Sequence, residues 1–313
     1  MERLPRRGTF LDKTPAALAN RSHAAIGIYN ICGYDRKHLN DNVAVRMLVS
    51  ALDLCGELDY QVLQFKYLDA AACNYYHKKL QLLHAVMLLE VGDFNAVIEL
   101  AREFPAITFI LVNFYYPSFD RSPDNVVGVF NAEEEGAYQM TKRMLERYRS
   151  IGFVSHDIRD LNYQRRLRGF QRAAEEYGRT RFCPSGIMPT RKFLDENCRR
   201  VEDIFELWGG GRVEAIFCVQ DNVMFTVNTL LRNSAGPVPQ LIGYDNFRSD
   251  VRELALQENI PMVTIKFSEM GRLAARIACE GAEQKVNLVM PEIVIPDVSN
   301  PSFQQPEIKF RKD

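Results

Sequence analysis

Across 313 residues the chain has one tryptophan, five histidines and a formal charge of only −1. Its 39 basic residues are set against 40 acidic ones, so there is no chain-wide electrostatic footprint for nucleic acid or an anionic membrane. The seven cysteines, at 32, 55, 73, 183, 198, 218 and 279, are odd in number, scattered, and nowhere spaced C-x-x-C. That pattern leaves no disulfide framework and reads as free thiols in a reducing compartment. The first residues lack the unbroken apolar segment of a secretory signal, and no later run is long enough to span a bilayer. The expectation is therefore a cytoplasmic chain with no membrane partner. Also missing are the Gly-x-Ser-x-Gly elbow, the P-loop, Gly-x-Gly-x-x-Gly and His-Glu-x-x-His. Cys73 and His77 stand four apart without a second pair, so packing or solvent explains them better than a metal. No catalytic residue, metal or cofactor is expected.

What is present is alternation. With 47% hydrophobic residues the chain can bury one large core or two smaller ones. From about residue 24 onward, short β-branched or apolar runs alternate with longer segments of helical period, which marks a parallel sheet flanked by helices. Strands are expected at 24–30, 60–65, 85–90, 107–114 and 126–130. The helices between them are expected at 42–58, 93–103 and 132–148, with Asp93 as an N-cap and Pro105 as a stop. A second cycle begins at Ile151: strands at 151–157, 182–188, 215–220, 240–244 and 262–266, and helices at 162–177, 193–207, 222–233, 249–257 and 268–280. Gly178 follows the helix at 162–177 as a natural left-handed terminator. The tail at 288–298, interrupted by Pro291 and Pro296, suits an edge or crossing strand. Two α/β halves with a break near Ser150 are the simplest organisation.

Polar residues follow the buried strands of the second cycle. Gln220 and Asp221 come after the strand at 215–220, and Asp245 comes after Gly243-Tyr244. In open α/β sheets ligands sit at the carboxyl ends of the strands, so these three point at one crevice.

Four blocks then occur in a telling order: Ile151-Gly-Phe-Val with Arg166-Leu-Arg-Gly-Phe-Gln-Arg-Ala, Glu214-Ala-Ile-Phe-Cys-Val-Gln-Asp, Leu241-Ile-Gly-Tyr-Asp-Asn, and Met262-Val-Thr-Ile-Lys with Met270-Gly-Arg-Leu-Ala-Ala. Together they resemble the LacI/GalR-type effector-binding domain over nearly the whole chain. The resemblance implies an α/β fold of two Rossmann-like lobes with parallel sheets joined by a hinge, the periplasmic-binding-protein-like I type. It implies a first lobe over 23–149, with part of 268–287 returning to it, and a second lobe over 150–267 and 288–313. A second, narrower resemblance covers Arg3-Leu-Pro-Arg-Arg-Gly-Thr-Phe-Leu, which looks like the end of the wing in GntR-type winged-helix regulators. Residues 1–22 would then be that remnant plus a linker, with Arg3, Arg6 and Arg7 contacting backbone phosphates. A mobile basic terminus explains the same residues.

Carried over residue by residue, the resemblance implies an effector site. Arg166, four residues before Phe170, falls on the family's cleft arginine; its fork suits two hydroxyls or one carboxylate, and its loss should weaken effector binding while sparing the fold. Arg165 and Arg168 read as surface arginines. Asp245 falls on the family acid of Gly-Tyr-Asp, although an N-cap role also explains it. Gln220 stands where the family more often has Asn, and Asp221 is equally well explained as a helix cap. Glu90 and Asn113 end strands of the first half; Tyr34 and Asp35 lie in a loop bordering the cleft, and His156 lies in another. Glu133, Glu134 and Glu135 fall in a first helical turn, where the helix dipole accounts for them better than the family's ligand-touching acid, near which Glu134 falls. The function implied is the sensor of a transcriptional regulator. It would bind a sugar or similar polar metabolite, act as a homodimer, and reach operator DNA only in a form that also carries the missing reader helices. The alternatives are a solute-binding protein of a transport system and, behind it, a small-molecule enzyme.

Overall fold

The computed structural model describes residues 25–29, 43–65, 80–89, 91, 94–155, 160–187, 201–206, 212–233 and 238–296. Strands β1 (Ala25–Tyr29), β2 (Val62–Phe65), β3 (Leu83–Leu88), β4 (Thr108–Val112) and β5 (Val126–Asn131) belong to a first sheet. A second sheet takes β6 (Ile151–Ser155), β7 (Ser185–Ile187), β8 (Ala215–Cys218), β9 (Gln240–Asp245) and β10 (Met262–Thr264). Two short strands complete them: β11 (Val286–Val289) lies beside β5 and β12 (Glu292–Val294) beside β10. The orders correspond, β2-β1-β3-β4-β5-β11 and β7-β6-β8-β9-β10-β12, and only the β10–β12 pair is antiparallel. All six residues of β5 and all five of β6 are buried, as a parallel sheet covered on both faces requires.

The helices among the described residues are α1 (Val43–Glu57), α2 (Phe94–Glu103), α3 (Glu133–Leu145), α4 (Leu161–Glu176), α5 (Val201–Glu206), α6 (Asp221–Arg232), α7 (Ser249–Gln257) and α8 (Phe267–Glu280). The longer helices turn an apolar stripe inward, for example Ala137, Met140 and Met144 of α3. Asp160 caps α4 by accepting from the Asn162 N–H at 2.8 Å, and Gly178 after it sits at φ +62° as its position predicts.

Two helices change sides. α3 follows β5 of the first sheet but packs on α4, β10 and β12, while α8 follows β10 of the second sheet but packs on α1, β3, β4 and β5. Residues 133–145 therefore pack with the second lobe rather than the first, and Leu288 and Val289, expected in the second lobe, lie in the first sheet. An amphipathic stripe shows that a helix buries one face; it carries no record of which sheet that face meets. The chain thus crosses between lobes three times: after β5, after β10, and at Met290-Pro291 between β11 and β12. The Ala132 N–H donates to Val289 O at 2.9 Å, which ties the first crossing to the third. The two exchanged helices dock by close backbone approach. A Cβ on Gly169 of α4 would lie 2.0 Å from Glu134 O, and one on Gly271 of α8 would lie 2.2 Å from Met47 O.

Candidate functional site

The second sheet's strand ends form the polar centre. After Tyr244, Asp245 and Asn246 take φ values of +93° and +55°, conformations that L side chains adopt only at a cost of about 1–3 kcal/mol when surroundings enforce them. Asp221 supplies that enforcement. Its Oδ1 accepts from the Asn246 N–H at 3.0 Å, and its Oδ2 accepts from the N–H groups of Phe247 at 3.0 Å and Arg248 at 3.3 Å. Burial raises its pKa to about 6 against the pull of those amides. Asp221 thus holds the loop that carries Asp245. Both its oxygens are occupied by backbone.

Arg166 lies at the middle of the arrangement and is 3% exposed. Its Nε donates to Glu133 Oε2 at 2.6 Å and its Nη2 to Glu133 Oε1 at 3.1 Å, a fork-to-fork pair. Its Nη1 donates to Val219 O at 2.6 Å and lies 2.8 Å from Asp245 Oδ1. The guanidinium also rests on the Tyr244 ring, 3.9 Å from its centroid. Burial opposes its charge, but Asp245 and Glu133 together hold it protonated well above its usual pKa. Asp245 shows the opposite balance: burial raises it to about 7 although Arg166 pulls it down. The Tyr244 hydroxyl accepts from Asn131 Nδ2 at 3.3 Å and donates to Glu133 O at 3.2 Å, so this cluster is wired to the first lobe crossing.

This geometry changes one expectation. Among the described residues Arg166 alone pairs with these two buried carboxylates, so its removal should destabilise the fold as well as any ligand site. The residue that the sequence reading passed over is Glu133. Within a run of three glutamates it is the buried one, at 3% exposed, whereas Glu134 pairs with Arg168 at 3.3 Å and Arg172 at 3.0 Å at the surface. The available signal was Arg166 itself, since an arginine on an apolar helix face needs a counter-ion.

Gln220 immediately precedes α6, yet its side chain makes no cap hydrogen bond; its Oε1 accepts from the Tyr163 hydroxyl at 2.5 Å. Burial pushes the Tyr163 phenol up. Facing these residues across the lobes is Asn113, at the end of β4 with φ +78°. Its N–H donates to Val129 O at 2.9 Å and its carbonyl accepts from Asn162 Nδ2 of α4 at 3.4 Å. Beside it the Arg165 guanidinium stacks on Tyr115, 3.5 Å from the ring centroid. Arg165 is therefore half-buried in a contact between lobes and not a surface arginine, while Arg168 is exposed as expected. Arg46 of α1 makes a further bridge, donating to Phe247 O at 2.8 Å.

Among the described residues, Ser155 Oγ at the end of β6, Asn131 Oδ1 at the end of β5 and Asn246 Oδ1 after β9 are buried without a hydrogen-bond partner. Tyr34, Asp35, Glu90 and His156, like Arg3, Arg6, Arg7, Cys73 and His77, lie outside the described residues. A cavity of about 370 Å³ lies at the other end of the second sheet, where β8 and β9 begin, lined by Tyr148, Glu214, Gln240 and Glu258 among others. None of the strand-end polar groups reaches it. Among the described residues no group of three or more potential metal ligands occurs, and no helix is long and apolar enough to cross a membrane.

No protein-family model matches the chain, and no curated protein matches it in sequence. Solved structures do match in fold. A regulatory protein of the LacI family from Chloroflexus aggregans aligns at a TM-score of 0.66 and 17% identity, over 87% of this chain and 96% of that one. The transcriptional regulator CelR in complex with cellobiose aligns at 0.62 and 17% identity, over 90% and 86%. A LacI-family transcriptional regulator from Enterococcus faecium with bound ribose aligns at 0.61 and 15% identity, over 86% and 96%. The chain shares the two-lobed, periplasmic-binding-protein-like fold of these structures.

Proposed function

We propose that this protein is the effector-sensing part of a transcriptional regulator and takes a sugar or similar polar metabolite in the cleft between its lobes. The observation that carries the reading is the placement of Arg166 and Asp245. Arg166 of α4 reaches Asp245 at a strand end of one lobe, its neighbours Asn162 and Arg165 on the same helix meet Asn113 and Tyr115 of the other, and Glu133 joins it to the first crossing between the lobes. The similar fold in a cellobiose complex and a ribose complex supports the same reading.

The mechanism is a shift between hinge states. An effector moves that equilibrium only by its difference in affinity for the two states, and inverting a 1:99 ratio takes about 5.5 kcal/mol. A ligand that bonds both Asp245 of one lobe and Asn113 of the other would supply that difference. In a homodimer the hinge state would set the spacing of two DNA-reading heads, and operator binding would need the reader helices that the resemblance of residues 3–11 to a wing implies. Gln220, Ser155 and Asn131 are polar partners for the same ligand, with Tyr34, Asp35, Glu90 and His156 as its expected neighbours.

A thermal-denaturation screen over sugars and polar metabolites tests this reading. A true effector at a hundred times its Kd adds roughly 2.7 kcal/mol of stability, and Arg166→Lys, which keeps the charge but loses the fork, should lower its affinity at least about tenfold. A screen in which no polyhydroxy compound shifts the transition overturns it.

A further inference from the structure

The cavity of about 370 Å³ where β8 and β9 begin lies at the far end of the second sheet from the cleft, and its size suits a small molecule. Its floor is apolar: Leu231 of α6, Leu241 of β9 and Ile260 before β10 are all buried. Its rim holds acceptors that the fold leaves open. Glu214 Oε2 accepts from the Arg149 main-chain N–H at 2.5 Å, and Glu258 Oε1 accepts from Arg232 Nη2 at 2.5 Å. Each carboxylate keeps its other oxygen unpaired among the described residues. Gln240 donates through Nε2 to Leu241 O at 3.0 Å and to Asn259 O at 3.5 Å, which leaves its Oε1 open in the same way. Beside them Asn259, flanked in sequence by the lining residues Glu258 and Ile260, has a buried Oδ1 with no hydrogen-bond partner.

No lysine or arginine lines the cavity. The cations around it reach only its edge or meet other groups: Arg232 takes one oxygen of Glu258, Arg149 meets Glu214 through its backbone, and Arg212 lies over the Phe205 ring, 5.9 Å from the centroid. Open acceptors above an apolar floor suit a ligand that brings donors, and an ammonium brings several on one atom. We propose that this cavity is a second binding site, separate from the cleft between the lobes, for a small primary amine with an apolar body. The ammonium meets the open acceptors of Glu214, Glu258 and Gln240, and the hydrocarbon covers Leu231, Leu241 and Ile260. This site goes beyond the sensing function and does not depend on it. It shares two elements with the cleft: β9 runs from Leu241 on the cavity floor to Asp245, and α6 runs from Asp221 to Leu231.

The test adds phenethylamine and isoamylamine, each beside the alcohol of the same carbon skeleton, to the full chain and reads binding by calorimetry and thermal shift. At least one amine should bind saturably, and roughly tenfold or more tighter than its alcohol, because charge-assisted hydrogen bonds are about twice as strong as neutral ones. Asn228→Phe puts a ring into the half-buried lining and should abolish binding. Glu214→Gln, at an exposed side chain, should weaken the amine roughly tenfold and leave the alcohol unchanged, and it keeps the test decisive if the phenylalanine variant fails to fold. Asp245→Asn, in the cleft, should leave amine binding as it is. Amine binding that persists in a folded Asn228→Phe variant, or is unchanged in Glu214→Gln, overturns the proposal. Binding lost in a folded Asp245→Asn variant also overturns it, by placing the amine in the cleft. Equal affinity for amine and alcohol, or no binding of either amine, overturns it as well, and none of these results decides the sensing function.

Discussion

In the first sheet β1 lies between β2 and β3, and in the second β6 lies between β7 and β8, so the two lobes present equivalent strand ends to one another. Their chemistry at those ends differs. The first lobe offers Asn113 and an aromatic cluster in which Tyr115 lies 4.3 Å and Phe119 5.2 Å from Phe130. The second carries Arg166, Asp245, Asp221 and Gln220, buried or half-buried. Among the described residues the strand ends of the first lobe are neutral and those of the second ionic, and the lobes are joined by helices they exchange. The same topology therefore fixes where a ligand can sit in both halves, while the charge that recognises it is concentrated in one.

Glu133→Ala is the strongest way to break this contrast. It leaves Arg166 buried with one carboxylate fewer and should cost about 3–5 kcal/mol in urea denaturation, whereas Asn113→Ala on the neutral wall should cost about 1 kcal/mol. Next come the two helix contacts that the lobes have in common. Gly169→Ala and Gly271→Ala each force a Cβ against a carbonyl oxygen, and each should cost about 1–3 kcal/mol. Similar values would show the lobes equal in packing; a large difference would show that one carries the stability.

The third prediction concerns pH. Because burial raises the Asp245 pKa to about 7, the folded protein holds a proton that the unfolded chain releases above the usual carboxylate range near about 4. Stability should therefore fall as pH rises from about 4 to 7, by at most about 1.4 kcal/mol per pH unit from this group, and Asp245→Asn should reduce that dependence, leaving the share of Asp221, whose pKa burial raises to about 6. A slope unchanged in that variant would place the titrating proton elsewhere. The smallest effect belongs to the contact between the walls: Arg165→Ala should cost about 0.5–1 kcal/mol and increase the radius of gyration measured by small-angle X-ray scattering, as the lobes part where Tyr115 is released.

Much of this molecule is legible along the chain. Short apolar runs and the 3.6-residue period place β1 through β10 to within a few residues, because a strand buried on both faces and a helix buried on one leave local signatures. The tail is harder: one interrupted strand at 288–298 proves to be β11 and β12 in different sheets, split at Pro291. At the site, Asp245, Gln220 and Asp221 stand out as polar residues at strand ends and the family resemblance adds Arg166, but their partners do not stand out. Asp221 turns out to clamp the backbone of residues 246–248, and Arg165 proves to reach the other lobe.

Glu133 shows where local reading stops. Within Glu133-Glu134-Glu135 nothing in sequence separates the three acids, since all suit a helix N-terminus equally. Helix α3 decides by crossing to the second lobe and turning Glu133 onto Arg166, 33 residues away, while its neighbours meet Arg168 and Arg172 at the surface. The sequence by itself determined the elements and the residue types at the strand ends, because those depend on short-range periodicity. Only the tertiary structure decided which sheet each helix covers and which carboxylate neutralises the buried arginine, because burial and ion pairing are set by contacts between distant segments.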